Sequence, residues 1–347
     1  MKKIIFIDDG IQFDSIQIKQ KPYGGAEIAF VSLAEALAKL KYKIVVYNNC
    51  LNEGKHNGVE WKRLKKEDIE NEFCDTLIVN RGDKYLNIKI NCRKKIFWIH
   101  NPAKYLLKFR YIYKLLFSNF TIVFSSIYHL KTYPWWAPSG NRIIIPYGVD
   151  NKLLLRKKHK MKPPYPNAIF TSSPLRGLDW LLELWKTEIF PNIPNAKLNI
   201  FSGFSTYGKY GSKHKVRIKV ILKKAKNYRK FGVNIFKPLE RNKLFKEILK
   251  SRIFIYRSTD DETFCMAAAE SQMLCIPGVV KKYGCIEERI IHNKTGLVCR
   301  DDKEFCKGTI TLLKNDSTWL NFHKNLIKNN YYFSWPKIAE KWKKIIE

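Results

Sequence analysis

Two glutamates eight residues apart, Glu262 and Glu270, mark the densest concentration of chemistry in this chain. They lie in the run Asp260-Asp261-Glu262-Thr263-Phe264-Cys265-Met266-Ala267-Ala268-Ala269-Glu270-Ser271, which follows the apolar stretch Ile253–Tyr256. On a helix over 262–274 that spacing is a little more than two turns, so both carboxylates fall along one side. The helix start would present the backbone N–H groups of Thr263, Phe264 and Cys265 to an anion. The three alanines before Glu270 would let a ligand pack close. An ordinary capped helix fits the same run, because acidic residues favour helix N-termini on structural grounds alone. Two other features could meet a ligand. Gly24-Gly25 stand just before a helical pattern, where glycine permits close backbone approach; His100 follows the apolar run Ile96–Ile99. A plain tight turn and a structural strand-end histidine are their alternatives.

The elements that must hold these residues alternate along the whole chain. Strand-like runs fall at Ile4–Ile7, Ile44–Tyr47, Thr76–Val79, Ile96–Ile99, Thr121–Phe124 and Ile143–Ile145, and a helical pattern covers Ala26–Leu40. They are short, β-rich and nearly continuous, as in strands covered on both faces. The stretch 156–166, with its prolines and basic residues, reads as a linker. Beyond it the alternation restarts with runs at Ala168–Thr171, Leu198–Phe201, Val233–Phe236, Ile253–Tyr256, Pro277–Val280 and Leu297–Val298. Helices are expected at about 177–188, 215–229, 241–250, 262–274, 302–314, 316–328 and 335–346. Strand–helix repetition of this kind predicts two doubly wound α/β domains, in which ligands bind outside the carboxyl ends of the strands.

Several motifs carry a family resemblance. Glu262-Thr263-Phe264-Cys265, Glu270, the turn Ile276-Pro277-Gly278-Val279-Val280 and Asn293-Lys294-Thr295-Gly296-Leu297-Val298 together resemble the C-terminal domain of retaining GT-B glycosyltransferases of the family 4 type (glycosyl transferases group 1). Gly24-Gly25-Ala26-Glu27, His100 at its strand end, Ile145-Pro146-Tyr147-Gly148-Val149-Asp150, Arg176-Gly177-Leu178-Asp179 and Phe333-Ser334-Trp335 are similar to further family motifs in the expected order. Three departures stand out. Cys265 replaces the usual glycine, Pro277-Gly278 reverses the usual order, and Arg176 stands in a lysine's place with no arginine at the family's first basic position.

The resemblance implies an α/β protein of two doubly wound Rossmann-like domains facing across a cleft. An acceptor-binding domain would cover 1–152, a nucleotide-sugar-binding domain 153–330, and a C-terminal helix over 331–347 would return to the N-terminal domain. It implies a hexosyltransferase-like enzyme. A sugar would pass from a nucleotide-sugar donor to a glycan or lipid-linked acceptor with retention of configuration, as in surface polysaccharide or lipopolysaccharide synthesis. Glu262 and His100 would act at the reacting carbon. Gly24, Gly25, Ser173, Arg176, Thr263, Phe264, Cys265 and Glu270 would bind the donor, with Glu270 accepting from the ribose hydroxyls and Arg176 on the diphosphate. The leaving phosphate would take the acceptor's proton, so no cofactor or metal is expected.

Composition bounds these readings. The chain has 347 residues, 45% of them hydrophobic, enough for two cores. Its 64 basic against 31 acidic residues give a net charge of +33, which favours polyanions, anionic lipid or phosphorylated ligands. The eight cysteines include no Cys-x-x-Cys pair and no zinc-like cluster, in keeping with reduced thiols in a cytoplasmic protein. Met1–Asp9 reads as a buried strand, not as a signal peptide, and no apolar run approaches a membrane span. Residues 84–149 hold no acid, and 103–118 within them read as a basic helix. Tyr105, Leu106, Phe109, Ile112, Tyr113, Leu116 and Phe117 would lie on its apolar side, and Leu107, Tyr111 and Leu115 in its polar arc. Such a helix could dock the protein peripherally on an anionic membrane, or be a buried helix with snorkelling lysines. A second basic stretch, 209–230, reads as a solvated face. The alternatives are a non-catalytic nucleic-acid-binding protein, for which no binding motif is present and no nucleic-acid partner is expected, and a GT-B nucleotide-sugar epimerase.

Overall fold

Runs such as Ile4–Ile7 and Ile253–Tyr256 have no polar face to show to water, and both become strands buried on two sides. In the computed structural model, residues 1–150, 153, 160–204, 213–329 and 333–347 are described. The linker expected over 156–166, the start of the 209–230 basic stretch and the boundary expected at 330–331 fall wholly or partly outside them. The chain divides into two units: Met1–Gln20 with Gly25–Gly148 and Phe333–Glu347, and Lys21–Gly24 with Val149–Tyr332.

The first unit is built on β1 (Lys3–Asp8), β2 (Lys43–Asn48), β3 (Gly54–His56), β4 (Val59–Arg63), β5 (Phe73–Asn80), β6 (Asn91–Trp98), β7 (Thr121–Phe124) and β8 (Arg142–Ile144). They form one sheet in the order β3-β4-β2-β1-β5-β6-β7-β8, parallel except for the β3–β4 hairpin. The hairpin was not expected: Val59 and Trp61 are buried, but Glu60, Lys62 and Arg63 between and beside them give the run a polar look. One face of the sheet carries the helix Gly25–Lys39 and the C-terminal helix Trp335–Ile346. There Phe6 meets Phe30 edge-on at 5.2 Å and Trp98 meets Trp342 at 5.0 Å. The C-terminal helix is thus part of this unit's core.

The other face buries Ile5, Ile7, Leu77, Val79, Phe97 and Phe120 against Tyr111 and Leu115. This corrects the helix expected over 103–118. Ala103–Leu107 form a 3-10 turn, Lys108 is extended (φ −67°, ψ 139°), and the helix proper is Phe109–Leu116. The break resets the helical phase. Tyr111 and Leu115, expected in the polar arc, anchor the helix, while Phe109 (79% exposed), Tyr113, Leu116 and Phe117 face outward.

The second unit is an all-parallel sheet of β9 (Asn167–Phe170), β10 (Lys197–Phe201), β11 (Val233–Phe236), β12 (Ile253–Tyr256), β13 (Gly278–Lys281) and β14 (Gly296–Cys299), in the order β11-β10-β9-β12-β13-β14. The chain runs outward from β9 to β11 and returns to β12 on β9's other side. The carboxyl ends of β9 and β12 therefore flank a topological switch point, where α/β sheets bind ligands. Helices stand at Leu178–Leu184, Lys215–Asn227, Arg241–Lys250, Met266–Met273, Asp302–Lys314 and Asp316–Lys328. The helix expected from 262 begins only at Met266, because Cys265 at its N-cap is left-handed (φ 61°). Glu262 is consequently held in the preceding turn and not on the helix.

Candidate active site

Loops leaving β9 and β12 build the second unit's polar centre. Arg176 follows β9, and Gly177 behind it takes φ 84° at the N-cap of the Leu178–Leu184 helix. A β-carbon on Gly177 would lie 2.5 Å from the Arg257 side chain, so only glycine closes this turn. Arg176 donates from Nη1 to the Thr259 hydroxyl at 2.6 Å and lies 3.6 Å from Glu262. The 259–262 turn is in turn covered by Gly284 at φ 58°, where a β-carbon would stand 2.6 Å from the carbonyl oxygens of Thr259 and Glu262.

Glu262 is satisfied from three sides. The Tyr256 hydroxyl donates to Oε2 at 2.6 Å, the Cys265 backbone N–H donates to Oε1 at 3.0 Å, and Arg176 supplies the charge. One of the N–H groups expected to meet a ligand anion is thus already engaged. Burial, reinforced by the neighbouring carboxylate, holds the Tyr256 phenol and the Cys265 thiol well above their ordinary pKa values, so both stay protonated. Phe264 is buried under the Arg289 guanidinium at 4.4 Å, and Thr263 is also buried. Ser173 is buried; its hydroxyl accepts from the Leu175 N–H at 3.4 Å and its carbonyl from the Arg176 N–H at 2.9 Å, a local turn that aims the arginine.

Glu270 lies one turn into the Met266–Met273 helix, 3% exposed, and is paired with Arg241. Arg241 opens the helix Arg241–Lys250, which Glu240 caps by accepting from the N–H groups of Asn242 and Lys243. Burial lowers the Arg241 pKa to about 10, opposed by Asp150. The structure therefore gathers Ser173, Arg176, Glu262, Thr263, Phe264, Cys265 and Glu270 at the carboxyl end of one sheet.

In the first unit His100 ends β6 and is buried. Its Nε2 lies 2.6 Å from the Asn80 carbonyl oxygen, its Nδ1 meets the Tyr147 hydroxyl, and the Asn80 amide donates to Asp8. With the amide oriented by Asp8, the imidazole is the neutral Nε2–H tautomer and Tyr147 donates to Nδ1. Burial first, then the Arg81 charge, depress its pKa well below 6.5. Arg81 is clamped between Asp8 (3.1 Å) and Glu27 (2.9 Å), the latter in the first turn of the helix that Gly25 opens. Gly24 belongs to the segment 21–24 grouped with the second unit.

Sequence reasoning missed Tyr256, Thr259, Arg241, Asn80, Arg81 and Tyr147 as site neighbours. Arg241 had a legible signal, since a cation in the first turn of a helix opposes the dipole and needs another reason to be there. Among the described residues no group of His, Cys, Asp or Glu could hold a metal ion, and no helix is long and apolar enough to cross a membrane.

Residues 173–332 match the model of the family described as glycosyl transferases group 1. No curated protein matches. The fold as a whole is similar to that of sucrose-phosphate synthase from Thermosynechococcus elongatus (TM-score 0.73, 14% identity, covering 99% of this chain and 98% of that one). It is also similar to the Anabaena protein HepE in complex with UDP-glucose (TM-score 0.73, 13% identity, covering 100% and 99%) and to WaaG, a glycosyltransferase involved in lipopolysaccharide biosynthesis (TM-score 0.67, 12% identity, covering 99% of each). The fold is that of the GT-B glycosyltransferases. The match to the group 1 glycosyl transferases falls within the second unit, and every residue expected to bind the donor through the β9 and β12 loops lies inside the matched segment.

Proposed function

We propose that the chain transfers a sugar from a nucleotide-sugar donor to a glycan or lipid-linked acceptor with retention of configuration, in the synthesis of a surface polysaccharide or lipopolysaccharide. The observation that carries this reading is the convergence of Arg176, Glu262 and Glu270 on the carboxyl ends of β9 and β12. The binding of UDP and UDP-glucose by HepE supports a nucleotide-sugar donor.

In this reading Glu270 accepts from the ribose hydroxyls. Arg176, aimed by the Ser173 turn, and backbone groups of Thr263 and Phe264 face the diphosphate, the Cys265 N–H being taken by Glu262. Glycines 24 and 25 give backbone approach to the phosphates. Phe264 and Cys265 shape the wall beside the sugar. The anomeric C–O bond to the diphosphate breaks while the acceptor oxygen bonds the same carbon on the same face. The acceptor's proton passes to the departing phosphate oxygen, so no protein base is needed. A guanidinium fixed beforehand stabilises charge as it develops on the leaving group, which is worth about 3 kcal/mol per such contact. Glu262, held by Tyr256 and Cys265, contacts the donor sugar near the reacting carbon. His100, neutral across physiological pH, serves as a hydrogen-bonding partner, not as a cation. The residues need no cofactor or metal for this chemistry.

Docking on an anionic membrane, with the protein on the cytoplasmic side, belongs to the same proposal. Phe109, Tyr113, Leu116 and Phe117, together with Ile127, Trp135 (88% exposed) and Trp136, are outward-facing residues of a segment that contains no acid. Exposed aromatics amid Lys104, Lys108, Arg110 and Lys131 have the character of an interfacial surface.

The test is nucleoside diphosphate release from a panel of UDP-, GDP- and ADP-sugars by the wild type, Glu270→Ala and Arg176→Ala. Turnover of one donor that both substitutions abolish supports the reading. A folded wild type that neither binds nor turns over any donor sinks it, and anomer analysis of the product by NMR decides retention.

A further inference from the structure

The carboxylate assigned to the ribose is not vacant. Glu270 is buried in an ion pair with Arg241, whose guanidinium is four-fifths buried, lies over the Phe245 ring at 5.3 Å and faces Asp150. A buried carboxylate without a partner is costly, and Arg241 supplies that partner. The pair also brings a second arginine, Arg241, to the Glu270 carboxylate. The 171–176 loop provides a single cation, Arg176, and that one is engaged with Thr259 and Glu262. Glu270 sits four residues beyond the start of its helix, about 6 Å along the axis. That is the order of separation between a ribose diol and the phosphates of one nucleotide, so a ligand seated on Glu270 brings its phosphates within the swing of the Arg241 side chain.

We propose that Arg241 is a donor-binding residue. Paired with Glu270, it yields the carboxylate to the ribose hydroxyls when the donor binds and turns its guanidinium to the donor's phosphates, supplying the cation missing from the 171–176 loop. The inference rests on the donor-site reading above. No bond is made or broken; one ion pair is exchanged for another, and the ribose hydroxyls replace the guanidinium on Glu270. The exchange makes the site resist nucleosides, which must displace Arg241 and offer it nothing in return. Nucleotides return it a charge partner, and a planar guanidinium is well matched to phosphate.

Calorimetric titration of wild type, Arg241→Gln and Arg241→Lys with UDP, UMP and uridine tests this, with the guanine and adenine series run in parallel to find the base that binds. In the wild type, affinity rises along the series from nucleoside to diphosphate. In Arg241→Gln the diphosphate weakens at least tenfold while the nucleoside holds within threefold or tightens. Arg241→Lys, which keeps the charge without the fork, recovers part of the loss and remains informative if the glutamine variant fails to fold. Equal weakening of nucleoside and diphosphate assigns Arg241 a purely structural role and overturns the proposal, as does a diphosphate affinity unchanged in both variants. A folded wild type that binds no nucleotide of any series removes the donor-site reading itself, and the inference falls with it.

Discussion

Cys265 occupies a left-handed conformation, φ 61°, at a position where the resembling family carries glycine. The geometry makes a signed prediction. At an ordinary position, replacing alanine by glycine costs about 0.5–1 kcal/mol in backbone entropy. In the left-handed region, a β-carbon costs about 1–2 kcal/mol of its own. The second effect is the larger, so Cys265→Gly should be more stable than Cys265→Ala by about 0.5–1 kcal/mol, the reverse of the usual order. Both variants lose the buried sulfur, which is 5% exposed with its residue, so that loss cancels in the comparison. The alanine variant should fall below the wild type by about 1–2 kcal/mol, the range for losing a small buried side-chain group. Urea unfolding followed by tryptophan fluorescence measures the order, with ligand absent and protein concentration fixed. Alanine equal to or above glycine would refute the argument, because it would mean that the backbone at 265 relaxes out of the left-handed region without cost.

Three other outcomes follow from the same contacts. Tyr256→Phe removes the hydroxyl that donates to Glu262 at 2.6 Å; a hydrogen bond to a charged group is worth about 1.5–3 kcal/mol, so kcat/KM for the donor identified by the release panel should fall about 10- to 100-fold, and a change within about threefold would separate Glu262 from catalysis. His129 is buried as the neutral Nε2–H tautomer, accepting from the Ser125 N–H at 3.2 Å and approaching the Asn101 carbonyl at 2.8 Å, and burial lowers its pKa to about 4. The unfolded chain therefore takes up its proton first: stability is full above pH 6.5 and is lost as the pH falls towards 4, by up to about 1.4 kcal/mol per pH unit for this one group, and His129→Gln should flatten that slope in chemical denaturation across the range. Replacing Phe109, Phe117, Trp135 and Trp136 together by serine should lower co-sedimentation with phosphatidylglycerol vesicles at least tenfold without lowering the melting temperature appreciably, since these side chains are exposed; wild-type binding that ignores anionic lipid would end the docking proposal.

Much of the fold was legible because its strands are buried on both faces. Ile4–Ile7 and Ile253–Tyr256 are apolar throughout, so composition alone marks them. Val59–Arg63 was not legible, because an edge-side strand shows water one face and reads as polar. Where tertiary contacts reset local phase, the reading failed: extended Lys108 turned Tyr111 and Leu115 inward, and left-handed Cys265 moved the helix start from 262 to Met266. The acids of the candidate site could be found from spacing, but their partners could not. Tyr256 and Thr259 reach Glu262 and Arg176 through turns closed by Gly177 and Gly284, and nothing in a linear pattern measures that closure.

The arginines show how so basic a chain can still place charge with direction. A net charge of +33 spread over flexible lysines attracts any polyanion and orients none. At each polar centre, by contrast, a guanidinium is set in place by acids or hydroxyls before any ligand arrives. Arg81 lies between Asp8 and Glu27, Arg176 is fixed by Thr259 beside Glu262, and Arg241 pairs with Glu270 opposite Asp150. With only 31 acids in the chain, the placement of five at three arginines is a concentrated use of the scarcer charge. A cation already oriented spends little reorganisation when negative charge appears on a ligand, which is the condition for electrostatic stabilisation of a leaving group. It follows that removing an acid partner, such as Asp8 or Glu262, should impair function by releasing its arginine from position, even though the substitution makes the protein more basic and its attraction for phosphate stronger at long range.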